Sequence, residues 1–184
     1  MIYKMKYSIY LLVILLLPFS IQAQEEASVE KSIFGIQAGI MGVWANNEIK
    51  LSNTIALRSE VGFEITNWRI GNTFYRRGDN TAFIPLVLTV EPKWYFNIKQ
   101  RYAKNNTARF LSLMIRYHAD WLMLSGKQPS NIAIIPTIAG RYHLGKHFNC
   151  EIGGGMGYQH TFTSIEEKKD DWAFNVVLRI GYVF

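Results

Sequence analysis

The sequence predicts an all-β fold, an eight-stranded antiparallel up-and-down transmembrane β-barrel, and three observations carry that expectation. Apolar and polar residues alternate with period two from Ile33 to the C-terminus, a pattern that a strand turns into two distinct faces. Charged residues make up 18% of the chain and aromatic residues 14%, which is little charge for a soluble surface and suits a barrel with one face in lipid. The longest apolar run lies in the N-terminal leader, so the chain beyond it is not built to cross a bilayer as helices.

The leader comes first. Met1–Lys6 is short and basic, Ser8–Phe19 is an apolar core around Leu11–Leu17, and Pro18 and Ser20 break it before Ile21-Gln22-Ala23. This is the grammar of a cleaved secretory signal peptide. The core is shorter than the roughly twenty residues of a membrane anchor, so residues 1–23 form the signal peptide, cleavage falls between Ala23 and Gln24, and residues 24–184 form one barrel domain. The net charge of +6 includes Lys4 and Lys6, and the rest of the leader has no charge, leaving +4 after cleavage. The remaining cations are scattered without an aromatic-interleaved run, so no nucleic-acid partner is expected. Cys150 is the single cysteine; it has no internal disulfide partner, forms no CxxC or zinc cluster, and does not lie at the leader boundary where a lipoprotein would need it.

The mature chain then reads strand by strand. A first segment, Ile33–Leu51, is about twice the length of a membrane strand, and splitting it near Gly42–Asn47 gives two. In Thr54–Thr66, Ile55, Leu57, Val61, Phe63 and Ile65 oppose Arg58, Glu60 and Glu64. In Ala82–Phe96, Leu86, Leu88, Val90 and Trp94 oppose Thr89, Glu91 and Lys93. In Phe110–Met123, Leu111, Leu113, Ile115 and Trp121 oppose Ser112, Arg116, His118 and Asp120. Ile132–Leu144 and Phe148–Phe162 follow, the latter with Gly153, Gly155 and Gly157 inward, and Trp172–Phe184 completes the eight. Pro85, Pro92 and Pro136 fall within these strands, where bulges or rim positions would accommodate them.

Short turns at Ser52–Thr54 and Gly145-Lys146 alternate with longer polar loops at 67–81, 125–131 and 163–171. Tight periplasmic turns and long extracellular loops are the outer-membrane arrangement. It places the C-terminus in the periplasm, together with the longer connection 97–108, which has the composition for a helical turn.

This register sends Arg58, Lys93, Arg116, Arg141 and Arg179 into the barrel with Glu60, Glu64, Glu91, Asp120 and Glu151, and His118 beside them. Eight strands leave an interior that side chains fill, and buried charges must pair. An ionic plug is therefore expected, with a small-solute path as the alternative. Arg116 is expected to neutralise Asp120 or Glu91. His118 and Asp120 share a face but have no nucleophile beside them, which reads as network membership rather than acid–base catalysis. His143 and His147 lack metal-ligand spacing. His160, Thr161, Thr163, Ser164 and Glu166 near the outer rim carry the residue types of rim lipid-modifying enzymes without the His-x-Ser spacing, so no enzyme and no cofactor are expected. Trp68, Trp94, Trp121 and Trp172, with Tyr75, Tyr95 and Tyr158, fall near strand ends and read as interfacial girdles, with a carbohydrate-stacking surface as the alternative. Arg76-Arg77-Gly78-Asp79 reads as a solvated loop.

Leu178-Arg179-Ile180-Gly181-Tyr182-Val183-Phe184 resembles the last strand of Gram-negative outer-membrane barrels, which end on an aromatic with alternating aromatics before it. Arg141–Phe148 with Glu151 and Gly153–Tyr158, and Leu51–Gly62, resemble periplasmic hairpins of small porin-like and OmpA/OmpX-type barrels. The resemblance implies an outer-membrane location, contact with outer-membrane lipid, and recognition of Tyr182 and Phe184 as an assembly signal by the barrel-assembly machinery. It leaves the activity open, because such barrels serve many functions. The expected role is structural or interaction-based, through the extracellular loops. A soluble lipocalin-like barrel is the non-membrane rival and would reverse every face.

Overall fold

Period-two alternation closes on itself in the computed structural model, which describes residues 28–64, 86–96, 98, 104–119, 130–162 and 170–184. The eight strands are β1 (Ser32–Gly39), β2 (Gly42–Lys50), β3 (Ile55–Glu64), β4 (Leu86–Phe96), β5 (Arg109–Ala119), β6 (Asn131–His143), β7 (Phe148–Thr161) and β8 (Asp170–Val183). Each pairs antiparallel with its sequence neighbours, and β1 returns to β8 through Gly35↔Val183 to Gly39↔Arg179. The fold is an eight-stranded closed antiparallel up-and-down barrel, and closure leaves no free sheet edge.

Away from the rims, the charged residues of the described strands face inward. Arg58, Glu60, Lys93, Glu91, Arg116, Arg141, Glu151 and Arg179 are buried, whereas Phe34, Val61, Leu88, Leu113, Ile138, Ile152 and Leu178 are exposed on the outer wall. A lipocalin-like barrel has the opposite polarity, and that alternative is set aside.

The first hairpin reverses earlier than the sequence indicated. The chain turns at Ile40-Met41, and residues 42–47 lie within β2. The physical reason is Gly42: its φ is +154°, and a Cβ there would sit 2.0 Å from the Phe63 carbonyl oxygen, so only glycine closes this approach. Asn46 and Asn47, which look like turn residues, are strand residues pairing with Gly35 and Phe34.

Pro92 and Pro136 need no bulge. The β4–β5 ladder omits Glu91 and Pro92, resuming at Lys93↔Ser112 after Val90↔Ile115, and the offset is the same on both sides. The β6–β7 ladder likewise passes from Ile134↔Tyr158 to Thr137↔Gly155 across Pro136. Each proline interrupts pairing on one side, where its missing N–H removes a bond, without shifting the register. Pro85 lies outside the described residues.

The connection 97–108 does contain the anticipated turn, a 3₁₀ turn at Lys104–Asn106, and it closes the barrel end where β1 begins and β8 ends. Asn105 and Asn106 adopt left-handed φ of 56° and 53°, a conformation asparagine tolerates better than most residues, and both are buried. The Glu30 backbone N–H donates to Asn106 at 2.7 Å, and the Glu30 carboxylate accepts from the Asn105 N–H at 2.6 Å. Val29 packs with Ala56, Tyr95, Phe110, Ala139 and Val177 beneath this cap.

Candidate functional site: the charge-filled lumen

The lumen is organised by cross-strand register. On β2, β3 and β4, Glu48, Arg58 and Glu91 stand opposite one another in sequence. On β6, β7 and β8, Arg141, Glu151 and Arg179 do the same. One wall therefore reads minus, plus, minus and the other plus, minus, plus. Each wall is favourable in itself, since opposite charges on paired strands attract, and the two are complementary across the interior.

Bridges between the walls realise this. Arg58 donates to Glu151 at 2.9 Å through Nη1, Arg141 reaches Glu48 at 2.7 Å, and Arg179 reaches Glu60 at 2.9 Å. Arg58 also holds Glu48 at 3.2 Å and Glu60 at 3.1 Å. Lys93 lies 3.5 Å from Glu91, 3.6 Å from Glu151 and 3.9 Å from Glu48. Among the described residues its Nζ has no direct hydrogen-bond partner, and it sits 3.9 Å over the Phe110 ring, so it acts as a point charge supported by a cation–π contact. Tyr95 donates to Glu48 at 2.6 Å, Asn106 donates to the same carboxylate, and Arg141 donates to the Asn105 carbonyl at 3.0 Å. The terminal cap is thereby tied into the charged layer.

A second, smaller group lies nearer the opposite end. Arg116 contacts Glu64 at 3.3 Å and donates to Asn175 at 3.1 Å. His118 bridges Glu64 at 3.2 Å and Asn131 at 2.9 Å. Among the described residues each group is balanced: Arg58, Lys93, Arg141 and Arg179 against Glu48, Glu60, Glu91 and Glu151, and Arg116 against Glu64. That balance is what permits so many charges to stand in a narrow interior, where an unpaired one is costly.

Several expectations change here. The partner of Arg116 is Glu64, which side-chain direction across β3 and β5 decides, and not Glu91; Asp120 lies outside the described residues. Tyr95 is not a girdle residue: it is buried in the lumen, one position out of phase with outward Trp94. Sequence reasoning missed Glu48, Gln37, Asn46 and Trp44. Their signal is the alternation Trp44, Asn46, Glu48, within a segment whose turn residues suggest too late a reversal. Trp44 is buried with the Arg179 guanidinium 4.0 Å from its ring.

Outside, Trp94, Tyr142, Phe148, Tyr182 and Phe184 are exposed toward the end where β1 begins and β8 ends, and Phe63, Tyr158, Phe162 and Trp172 toward the other. Tyr182 and Phe184 pack edge-on at 5.1 Å, and Phe184 stacks near Phe34 at 5.5 Å across the closing seam. His160 and Asp170 meet on the outer rim at 2.6 Å. Thr161 is buried, while Thr163, Ser164 and Glu166, with Trp68, Tyr75, residues 76–79 and Trp121, lie outside the described residues. His143 is exposed, and His147 contacts the Val183 carbonyl at 3.0 Å. Cys150 is half-buried on the outward-facing side of β7.

No protein-family model, curated protein or solved structure matches the chain. The geometry stands alone: a closed barrel whose middle is crossed by paired charges.

Proposed function

We propose that this chain is an outer-membrane β-barrel with an ionically filled lumen, exported by a signal peptide cleaved after Ala23 and acting without catalysis, through a structural or interaction role of its outer loops. The observation that carries the membrane part is polarity: charges inside, an apolar wall outside, and exposed aromatics at both ends of that wall, the arrangement of a barrel solvated by lipid. The complementary charge walls support a filled interior over a solute channel. Arg58–Glu151 and Arg141–Glu48 span the lumen, and water or ions would have to break those contacts to pass.

Fractionation of cells expressing the full chain tests location, and intact mass of the membrane-fraction protein tests processing. A chain starting at Gln24 in the outer-membrane fraction is expected. A mature chain retaining Leu11–Leu17, or one found soluble, overturns the reading. Purified protein in planar bilayers then separates plug from channel, and a reproducible single-channel conductance of the wild type favours the channel.

A further inference from the structure

The barrel end where β1 begins and β8 ends holds an open pocket of about 200 Å³ whose lining includes Glu30, Ser32, Asn105, Lys146, His147 and Phe184. It sits where the cap, the β6–β7 hairpin and the β1–β8 seam meet. Its composition is bipolar, with an anion from the strand-entry segment and a cation from the hairpin.

The side chains are arranged differently on its two sides. Glu30 is held from within, since one carboxylate oxygen accepts the Asn105 N–H and its own N–H is fixed by Asn106; the second carboxylate oxygen keeps its acceptor capacity. Lys146 is exposed at the hairpin tip. His147 uses Nδ1 on the Val183 carbonyl and stacks on Tyr182 at 5.4 Å, which fixes its ring. On the outer wall the approach is apolar and aromatic, through Phe34, Tyr182 and Phe184. An apolar outer wall leading to a rim pocket with one cation and one anion matches an amphiphile with acyl chains, a phosphate and an ammonium group.

We propose that this pocket is a phospholipid headgroup site selective for phosphoethanolamine, with Lys146 taking the phosphate and Glu30 the primary ammonium. The proposal rests on the membrane reading above. Its physical basis is two-point recognition: a phosphate alone finds Lys146 but meets Glu30 as a like charge, so an anionic headgroup without an amine is disfavoured. A quaternary amine of the same net charge has no N–H to donate to Glu30 and loses that contact.

Native mass spectrometry of the full chain, extracted from vesicles of phosphatidylcholine with equal added phosphatidylethanolamine or phosphatidylglycerol, tests it. Insertion is checked first by heat-modifiable gel mobility in phosphatidylcholine alone. Failure there overturns the membrane reading and not the selectivity. With insertion intact, the wild type is expected to retain phosphatidylethanolamine over both other lipids. Lys146→Gln and Glu30→Gln should each weaken that preference about tenfold. Lys146 is exposed and outside the strands, so its variant folds independently of the cap. Equal retention of all three lipids overturns the proposal. Preferential retention of phosphatidylglycerol, lost in Lys146→Gln and unchanged in Glu30→Gln, also overturns it, showing simple anion attraction.

Discussion

Arg58 on β3 and Glu151 on β7 meet across the barrel, 93 residues apart in sequence, and both are fully buried. Arg58 is also the residue on which four of the interior carboxylates converge, Glu48, Glu60, Glu91 and Glu151. Replacing it with Ala leaves these anions with Lys93, Arg141 and Arg179 as the remaining cations of their group. Removing one partner of a buried pair costs about 3–5 kcal/mol. The Arg58→Ala protein should lose its folded, fast-migrating gel form at markedly lower temperature and urea concentration. The exchange Arg58→Glu with Glu151→Arg should not restore it. A carboxylate at position 58 would face Glu48 and Glu60, and a guanidinium at position 151 would face Lys93 and Arg141. Full recovery in the double variant would mean that the two residues form an isolated pair.

Arg116 belongs to the smaller charge group, where His118 also contacts Glu64. Arg116→Ala is expected to destabilise less than Arg58→Ala, since Glu64 keeps one hydrogen-bonding neighbour. It should also leave planar bilayers silent, because the Arg58 group still crosses the lumen. A channel would instead give wild-type current whose ion selectivity changes with this substitution, at little cost in thermal resistance.

Leu88, Leu113 and Leu178 are 45%, 41% and 47% exposed on the outer wall. Arg at any one of them should cost about 2–4 kcal/mol if the position lies near the membrane midplane, measured by denaturant titration of the protein folded into vesicles. Thr89, buried on the inner face between Glu60 and Arg116 in the ladder, should accept Ser with almost no change. Equal tolerance on the two faces would contradict a lipid-facing outer wall.

Tyr182 and Phe184 make ring contacts on the outer surface, and the Phe184 N–H donates to the Phe34 carbonyl at 3.1 Å. Neither ring enters the charged interior. If they act as an assembly signal, Phe184→Ala should sharply lower the folded barrel recovered from cell membranes, while the same variant refolded from urea into detergent should approach wild-type stability. Equal losses in cells and in refolding would assign Phe184 to packing alone.

The strand faces were legible because alternation is a local property. Leu178 and Arg179, or Glu60 and Val61, face opposite ways whichever strand lies beside them, so which of the described side chains share a face followed from spacing. The eightfold count followed only after splitting 33–51, and the position of that split was decided by the close approach of Gly42 to Phe63, a contact between β2 and β3. With the turn misplaced, the alternation of Trp44, Asn46 and Glu48 had no strand to belong to, and a principal anion of the interior went unassigned. Tyr95 was misread for a related reason: proximity to a strand end marks height along the barrel, whereas the face depends on phase. The sequence by itself determined which side chains share a face from Arg58 onward, since that needs only a period of two. Which cation meets which anion was decided only by tertiary structure. Register sets Glu48 beside Arg58 and Arg141 beside Glu151, and closure between β1 and β8 brings the two walls face to face, so that Arg58 finds Glu151, while Arg116 reaches Glu64 over the intervening β4.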